Sequence, residues 1–247
     1  MARHLASLLL VCALAAGAPI AAGALPISIL EVERAAEAEA SAADASDADF
    51  DSAASFDAGL GLQDWSSAAN AVVPPAAMLD ALGGYRGSVS ADAIEAQGVA
   101  QVGATTTASD AFAFGSAEAR QRIVFQATAD ALLRVSGGVI AQQIGDAGDA
   151  VALLEIMSLG GVGDPSPLLI QRRAEPGQEA LFDVDFAVRS GMSYQILSLA
   201  RASADALDLE HSFFRAAFLV ELTEVPEPGS AMLLLLGSVA LAIARRR

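Results

Sequence analysis

The sequence predicts an all-β protein: an antiparallel β-sandwich of about eight to ten strands with jelly-roll-like wiring. An N-terminal signal helix and a short C-terminal transmembrane helix flank it. Three observations carry this reading. Apolar and polar residues alternate with a period of two through the second half of the chain. Clusters of Gly, Pro and Asp recur between the alternating runs, as turns require. Each end of the chain carries a short apolar run beside arginine.

The N-terminal run is a secretory signal peptide over 1–24. Arg3 and His4 supply a positive start, and Leu5 to Ala16 supply a compact apolar stretch. Ala22-Gly23-Ala24 then matches the small-residue cleavage pattern, with the cut after Ala24. Twelve apolar residues are too few to span about 30 Å of hydrocarbon. The single cysteine, Cys12, leaves with this segment, so the mature chain has no disulfide, no thiolate nucleophile and no sulfur ligand for a metal.

Residues 25–86 form an acidic segment of low complexity that becomes rich in Gly and Pro. Within 31–57, the Ala/Glu first half is expected to be a short exposed helix. The Asp/Ser part up to Asp57 is expected to be loop. Asp44, Asp47, Asp49 and Asp51 leave room for weak calcium binding at most. Counting from Asp47, Ser52 stands where the calcium-loop glycine belongs and Ala58 where the bidentate Glu belongs. Gly59, Gly61, Pro74, Pro75, Gly83 and Gly84 read as punctuation, with a turn or two of helix near 75–82.

The sandwich body is expected over 87–224. Two strands fall within 87–114. Others follow at 122–128, at 131–141 with a break at Gly137-Gly138, at 151–157 and at 168–173. The clearest strand puts Phe182, Val184, Phe186 and Val188 on one face and Asp183, Asp185 and Arg189 on the other. Ser190-Gly191 turns into a strand running from Tyr194 to about Ala204. The last strand sets Phe214, Phe218, Val220 and Leu222 against Arg215 and Glu221. An up-and-down barrel is the alternative wiring. A transmembrane barrel would need aromatic girdles that are missing.

The C-terminal segment, 225–247, has three parts: Pro226-Glu227-Pro228, the apolar run Ala231 to Ala244, and Arg245, Arg246 and Arg247. Fourteen apolar residues make a helix of about 21 Å, a marginal span that snorkelling Arg stems extend. The Arg cluster fixes it on the cytoplasmic side, which puts the body outside the inner membrane.

This tripartite tail resembles the PEP-CTERM sorting signal of Gram-negative bacteria. The resemblance implies recognition by an exosortase, a membrane transpeptidase-like protease, with processing near Pro226-Glu227-Pro228. It also implies a host that makes exopolysaccharide. The prolines keep the segment extended and non-helical, a form a protease can read as a strand. The body, with its Phe-x-Val-x-Phe strand and Ser-Gly-x-x-Tyr turn, loosely resembles the sandwich bodies attached to other such tails.

Composition excludes several activities. Acidic residues number 30 and basic ones 14, all of them Arg, for a net charge of −16. Segment 25–224 holds ten Arg and 29 acids, net −19. That charge opposes nucleic-acid binding, and the lack of Lys removes Schiff-base and P-loop chemistry. The mature chain has one histidine, His211, and the adjacent Ser212 would point to the opposite face of a strand, so the two cannot be base and nucleophile. Gly160-Gly161-Val162-Gly163 lacks the third glycine of a nucleotide loop and, with Pro165 and Pro167, reads as a turn. Asp183 and Asp185, about 7 Å apart at ~3.4 Å per residue, read as an exposed strand face rather than a glycosidase pair. Trp65, Tyr85, Tyr194 and Phe213 are the candidate platforms for sugar stacking.

The expectation is a non-enzymatic, exported protein of the cell envelope or extracellular matrix, with no catalytic residues and no cofactor. It is transiently held in the inner membrane, then placed at the cell surface or outside. Signal peptidase and an exosortase are its processing partners. The alternative is a carbohydrate-binding module for exopolysaccharide.

Overall fold

The computed structural model describes residues 25–160, 168–207 and 209–225, apart from the side chain of Trp65. Twelve strands follow in chain order: β1 (Ile27–Ala43), β2 (Ala48–Asp57), β3 (Gly61–Val73), β4 (Ala77–Val89), β5 (Ile94–Thr106), β6 (Phe112–Ala127), β7 (Ala131–Ile144), β8 (Gly148–Ser158), β9 (Leu168–Ala174), β10 (Gln178–Val188), β11 (Ser193–Leu207) and β12 (His211–Glu224). No helix is present among the described residues. The expected signal helix and C-terminal helix lie outside them.

The strands form two six-stranded antiparallel sheets. The first runs β2-β1-β6-β11-β8-β9 and the second β10-β7-β12-β5-β4-β3. They stack face to face in aligned order, with β1 over β3 and β4, β6 over β4 and β5, β11 over β5 and β12, and β8 over β12 and β7. Pairing in the last eight strands is nested. β5 pairs with β12, β6 with β11, β7 with β10, and β8 with β9. A long hairpin folded over itself gives that order, which is jelly-roll wiring. β1 and β2 extend one sheet, and β3 and β4 extend the other.

The N-terminal part of the body corrects the sequence reading. The helix expected in the first half of 31–57 is part of strand β1, the loop expected up to Asp57 is mostly β2, and the punctuated stretch 58–86 contains β3 and most of β4. The boundary drawn between 86 and 87 falls inside β4. Alanine and glutamate favour helix in isolation, but Glu31, Glu33, Glu37 and Glu39 all face solvent on one side of β1 while Val32, Ala36, Ala38, Ala40 and Ala42 are buried on the other. Burial between two sheets outweighs a propensity difference of a few tenths of a kcal/mol per residue. Nor do Gly137-Gly138 break β7, which continues through them with β10 and β12 on its flanks.

The core is graded from one end to the other. Cross-strand rows of the first sheet read Ala42–Ala113–Ala206, Ala38–Ala117–Ala202–Ala150 and Ala36–Ala119–Ala200–Ala152. Next comes a polar row, Arg34–Gln121–Ser198, and after it Val32–Ile123–Ile196–Ile156 and Phe125–Tyr194. The alanine end lets the sheets approach closely. A Cβ on Gly115 would lie 2.4 Å from Leu79 Cδ2 of the facing sheet. One on Gly83 would lie 2.5 Å and 2.6 Å from the carbonyl oxygens of Glu118 and Glu37. Side-chain bulk therefore sets the layer separation at this end, and glycine is required where the layers touch.

The acidic residues of β2 close one side of the sandwich. β2 and β3 are edge strands of different sheets. Asp51 Oδ2 accepts the Asn70 backbone N–H at 3.0 Å, and Asp49 Oδ2 accepts that of Val72 at 3.0 Å. Side-chain carboxylates thus satisfy backbone donors that a bare edge would offer to another chain.

Candidate functional site

Two places on the chain are candidates for function: the exit of β12 toward the tail, and the outer face of the second sheet. β12 lies between β5 and β7, in the interior of its sheet. Its last residue, Glu224, pairs with Leu133, and the Val225 N–H donates to the Leu132 carbonyl at 2.9 Å. The ordered sheet therefore reaches the residue before Pro226. The chain enters at the same end: Ile27 of β1 pairs with Ala127, and the Thr128 N–H donates to the Pro26 carbonyl at 2.9 Å. Pro226, Glu227, Pro228, Arg245, Arg246 and Arg247, like Ala22 and Ala24, lie outside the described residues. Among the described residues, no helix is long and apolar enough to cross a membrane.

The outer face of the second sheet holds an open groove of roughly 1010 Å³. Its floor is a cross-strand row of small or short side chains, Ser66–Gly84–Val99–Ala217–Ile140, ending at Glu179. The row crosses all six strands, which at ~4.8 Å between strands makes it about 24 Å long. One wall carries Asp64, Arg86 and Gln97, then Leu219 and Leu181. The other wall carries Arg215, which stands in register between Gln101 on β5 and Gln142 on β7. Asp64 and Arg86 approach to 3.9 Å, with both side chains well exposed. Arg215 meets no carboxylate within ion-pair distance among the described residues. The sequence signals this wall only weakly: Gln97, Val99 and Gln101 share a face by period two, but their alignment with Arg215 and Gln142 depends on a register the sequence does not spell out.

The other sequence candidates are dispersed. His211 begins β12, exposed, with Nδ1 at 2.8 Å from Thr105 Oγ1. Ser212 is buried on the opposite face and donates to the Asp205 carbonyl at 2.6 Å. Asp183 and Asp185 share the outward face of β10, where both meet Arg134 Nε, at 3.2 Å and 2.7 Å. The hydrogen bond from Arg134 holds the Asp185 carboxyl below the usual carboxylate range. Asp44 shapes the β1–β2 turn by accepting the backbone N–H groups of Ser46 and Asp47 and the Ser46 hydroxyl at 2.7–2.8 Å. Those bonds, led by the one from the Ser46 backbone, lower its pKa. Asp47 accepts the N–H of Ala48. The four aspartates thus serve a turn and a seam. Gly160 is described, and 161–167 lie outside the described residues.

Of the stacking candidates, Tyr85 and Tyr194 are core residues. Tyr194 stacks on Phe125 at 5.5 Å between ring centroids, and its hydroxyl accepts the Arg189 N–H. Tyr85 accepts a hydrogen bond from Gln121 Nε2 at 2.9 Å, and the Arg34 guanidinium sits 5.2 Å above its ring. Arg34 is fully buried and bonds Asp57 at 2.8 Å and the Gly59 carbonyl at 2.6 Å, which ties down the β2–β3 crossover. Burial raises the Tyr85 pKa above its ordinary value. Phe213 remains on the groove side of β12, half-buried.

Among curated proteins, none matches this chain. Among solved structures, a chain from the structure of infectious bursal disease virus, Gt strain, aligns over 87% of this chain and 70% of its own at 11% identity, with a TM-score of 0.19. The sequence pattern of the PEP-CTERM protein-sorting motif matches residues 224–247, beginning on the last residue of β12. That motif implies exosortase-dependent sorting of an exported protein to the cell surface or beyond. The chain therefore carries a PEP-CTERM sorting motif, joined without a spacer to the last of the twelve strands among the described residues.

Proposed function

We propose that this protein is a non-enzymatic component of the cell envelope or extracellular matrix. Its signal peptide is removed after Ala24, it is held briefly in the inner membrane by residues 231–244, and it is processed near Pro226-Glu227-Pro228. The observation that carries the reading is the position of the motif at residues 224–247, directly after the last sheet residue. Because residues up to Val225 are hydrogen-bonded into the sheet, a protease that reads an extended segment acts at or beyond Pro226. The test is the intact mass and location of the protein in its host, with Pro226, Glu227 and Pro228 native or all replaced by Ala. The expected result is a released product ending at or after residue 226 for the native chain and a membrane-retained product for the variant. Identical full-length, membrane-held products from both would refute it.

A second reading, a carbohydrate-binding module, is favoured by one observation: the groove across the second sheet, with Gln97 on one wall and Arg215 on the other beside a floor of small side chains. Retention of the protein on polysaccharide gels tests it.

A further inference from the structure

We infer that the groove across the second sheet takes a linear, uncharged, polyhydroxylated polymer, laid perpendicular to the strands, with Gln97 on one wall and Arg215 on the other reading its hydroxyls. This rests on the carbohydrate-binding reading and names its site and ligand class. The geometry supplies a long open track, about 24 Å at ~4.8 Å per strand, whose middle is kept low by Gly84, Val99 and Ala217. Such a floor suits the apolar C–H faces of a chain molecule. Gln97 suits hydroxyls, since each hydroxyl both donates and accepts and an amide side chain does the same. Arg215 adds donors in a fixed fork and has no carboxylate of its own to satisfy.

Other occupants fit less well. An extended peptide draws its affinity from the backbone groups of a sheet edge, and this track lies on a sheet face, where the backbone is already paired with neighbouring strands. An anionic chain would meet a protein of net charge −16, with Asp64 and Glu179 at opposite ends of the track. Nucleic acid is disfavoured for the same reason.

The test is affinity electrophoresis of the full chain in mild detergent, through native gels containing hydroxyethylcellulose, dextran, soluble starch or alginate. Retardation by at least one of the three neutral polymers and none by alginate is expected. Arg215→Ala and Ala217→Trp should each weaken that retardation at least tenfold, while Arg201→Ala, on the outer face of the other sheet, should leave it unchanged. Thermal melts of all variants separate loss of binding from loss of fold, and Gln97→Ala serves as a milder second probe if Ala217→Trp does not fold. No retardation by any of the four polymers overturns both the carbohydrate reading and this site. Retardation untouched by Arg215→Ala and Gln97→Ala keeps the reading and overturns the site. Retardation by alginate alone overturns the ligand class.

Discussion

The two ends of the sandwich are built on different principles. At the end where the chain enters and β12 leaves, the layers are held apart by Phe125, Tyr194, Ile123, Ile196 and Ile156. At the far end the first sheet offers rows of alanine, and the second sheet lowers Leu79 onto Gly115. Alanine buries little area, so each residue there contributes little transfer free energy. What it allows is a short distance between layers, and hence dispersion contacts between backbones and small side chains. An alanine-rich composition is therefore compatible with a dense core, provided that glycine stands where the layers meet.

The largest effects should separate the two ends by the sign of the volume change. Phe125→Ala at the thick end should cost about 3–5 kcal/mol, the range for deleting a buried aromatic ring. Ala117→Leu at the thin end should cost about 1–3 kcal/mol by overpacking. Denaturant titration of both measures the contrast, and an Ala117→Leu variant as stable as the native chain would show that the thin end holds a void. Removing the carboxylate seam with Asp49→Ala and Asp51→Ala should leave the melting temperature nearly unchanged while raising light scattering on standing, because the β3 edge is then bare. The polar row between the two ends gives a spectroscopic handle. The chain has two tyrosines, so in a Tyr194→Phe background absorbance at alkaline pH reports Tyr85 alone. Its titration should fall above the usual value near 10. A folded pKa raised in this way contributes stability that is fully present below about pH 10 and is lost as pH rises through the folded value. Titration of Tyr85 at or below 10 would mean that the row is wet. The smallest effect concerns the far-end turn. Asp44 should titrate below the usual carboxylate value near 3.9, and its contribution, present above that value, disappears as pH falls through the lowered one. Carboxyl-detected NMR would show this, and an unshifted Asp44 would mean that the turn is open in solution.

Legibility in the sequence followed the same division. The strands with large alternating side chains, such as Phe182 to Val188 and Phe214 to Leu222, stand out because bulky apolar residues at period two have no competing helical reading. β1 was hidden because its inward positions are mostly alanine, which registers as helix former before it registers as core. Its alternation is nonetheless present, carried by the glutamates. β2 to β4 were hidden by Asp, Gly and Pro, residues that usually mark turns but here supply a seam, close layer contacts and a cis Pro74-Pro75 corner. For function, the tail was readable because it is a linear signal. The groove was not, because it exists only once six strands are aligned in register, and alanine and glycine in its floor carry no chemical signature of their own.

The placement of β12 has a mechanical consequence. A tether attached after Val225 pulls along a strand that is hydrogen-bonded on both sides, to β5 and to β7. Tension on it loads the bonds of two ladders in shear, all at once, whereas a tether on an edge strand could peel them one by one. A body tethered in this way would meet drag with a strand from the interior of its sheet rather than from an edge.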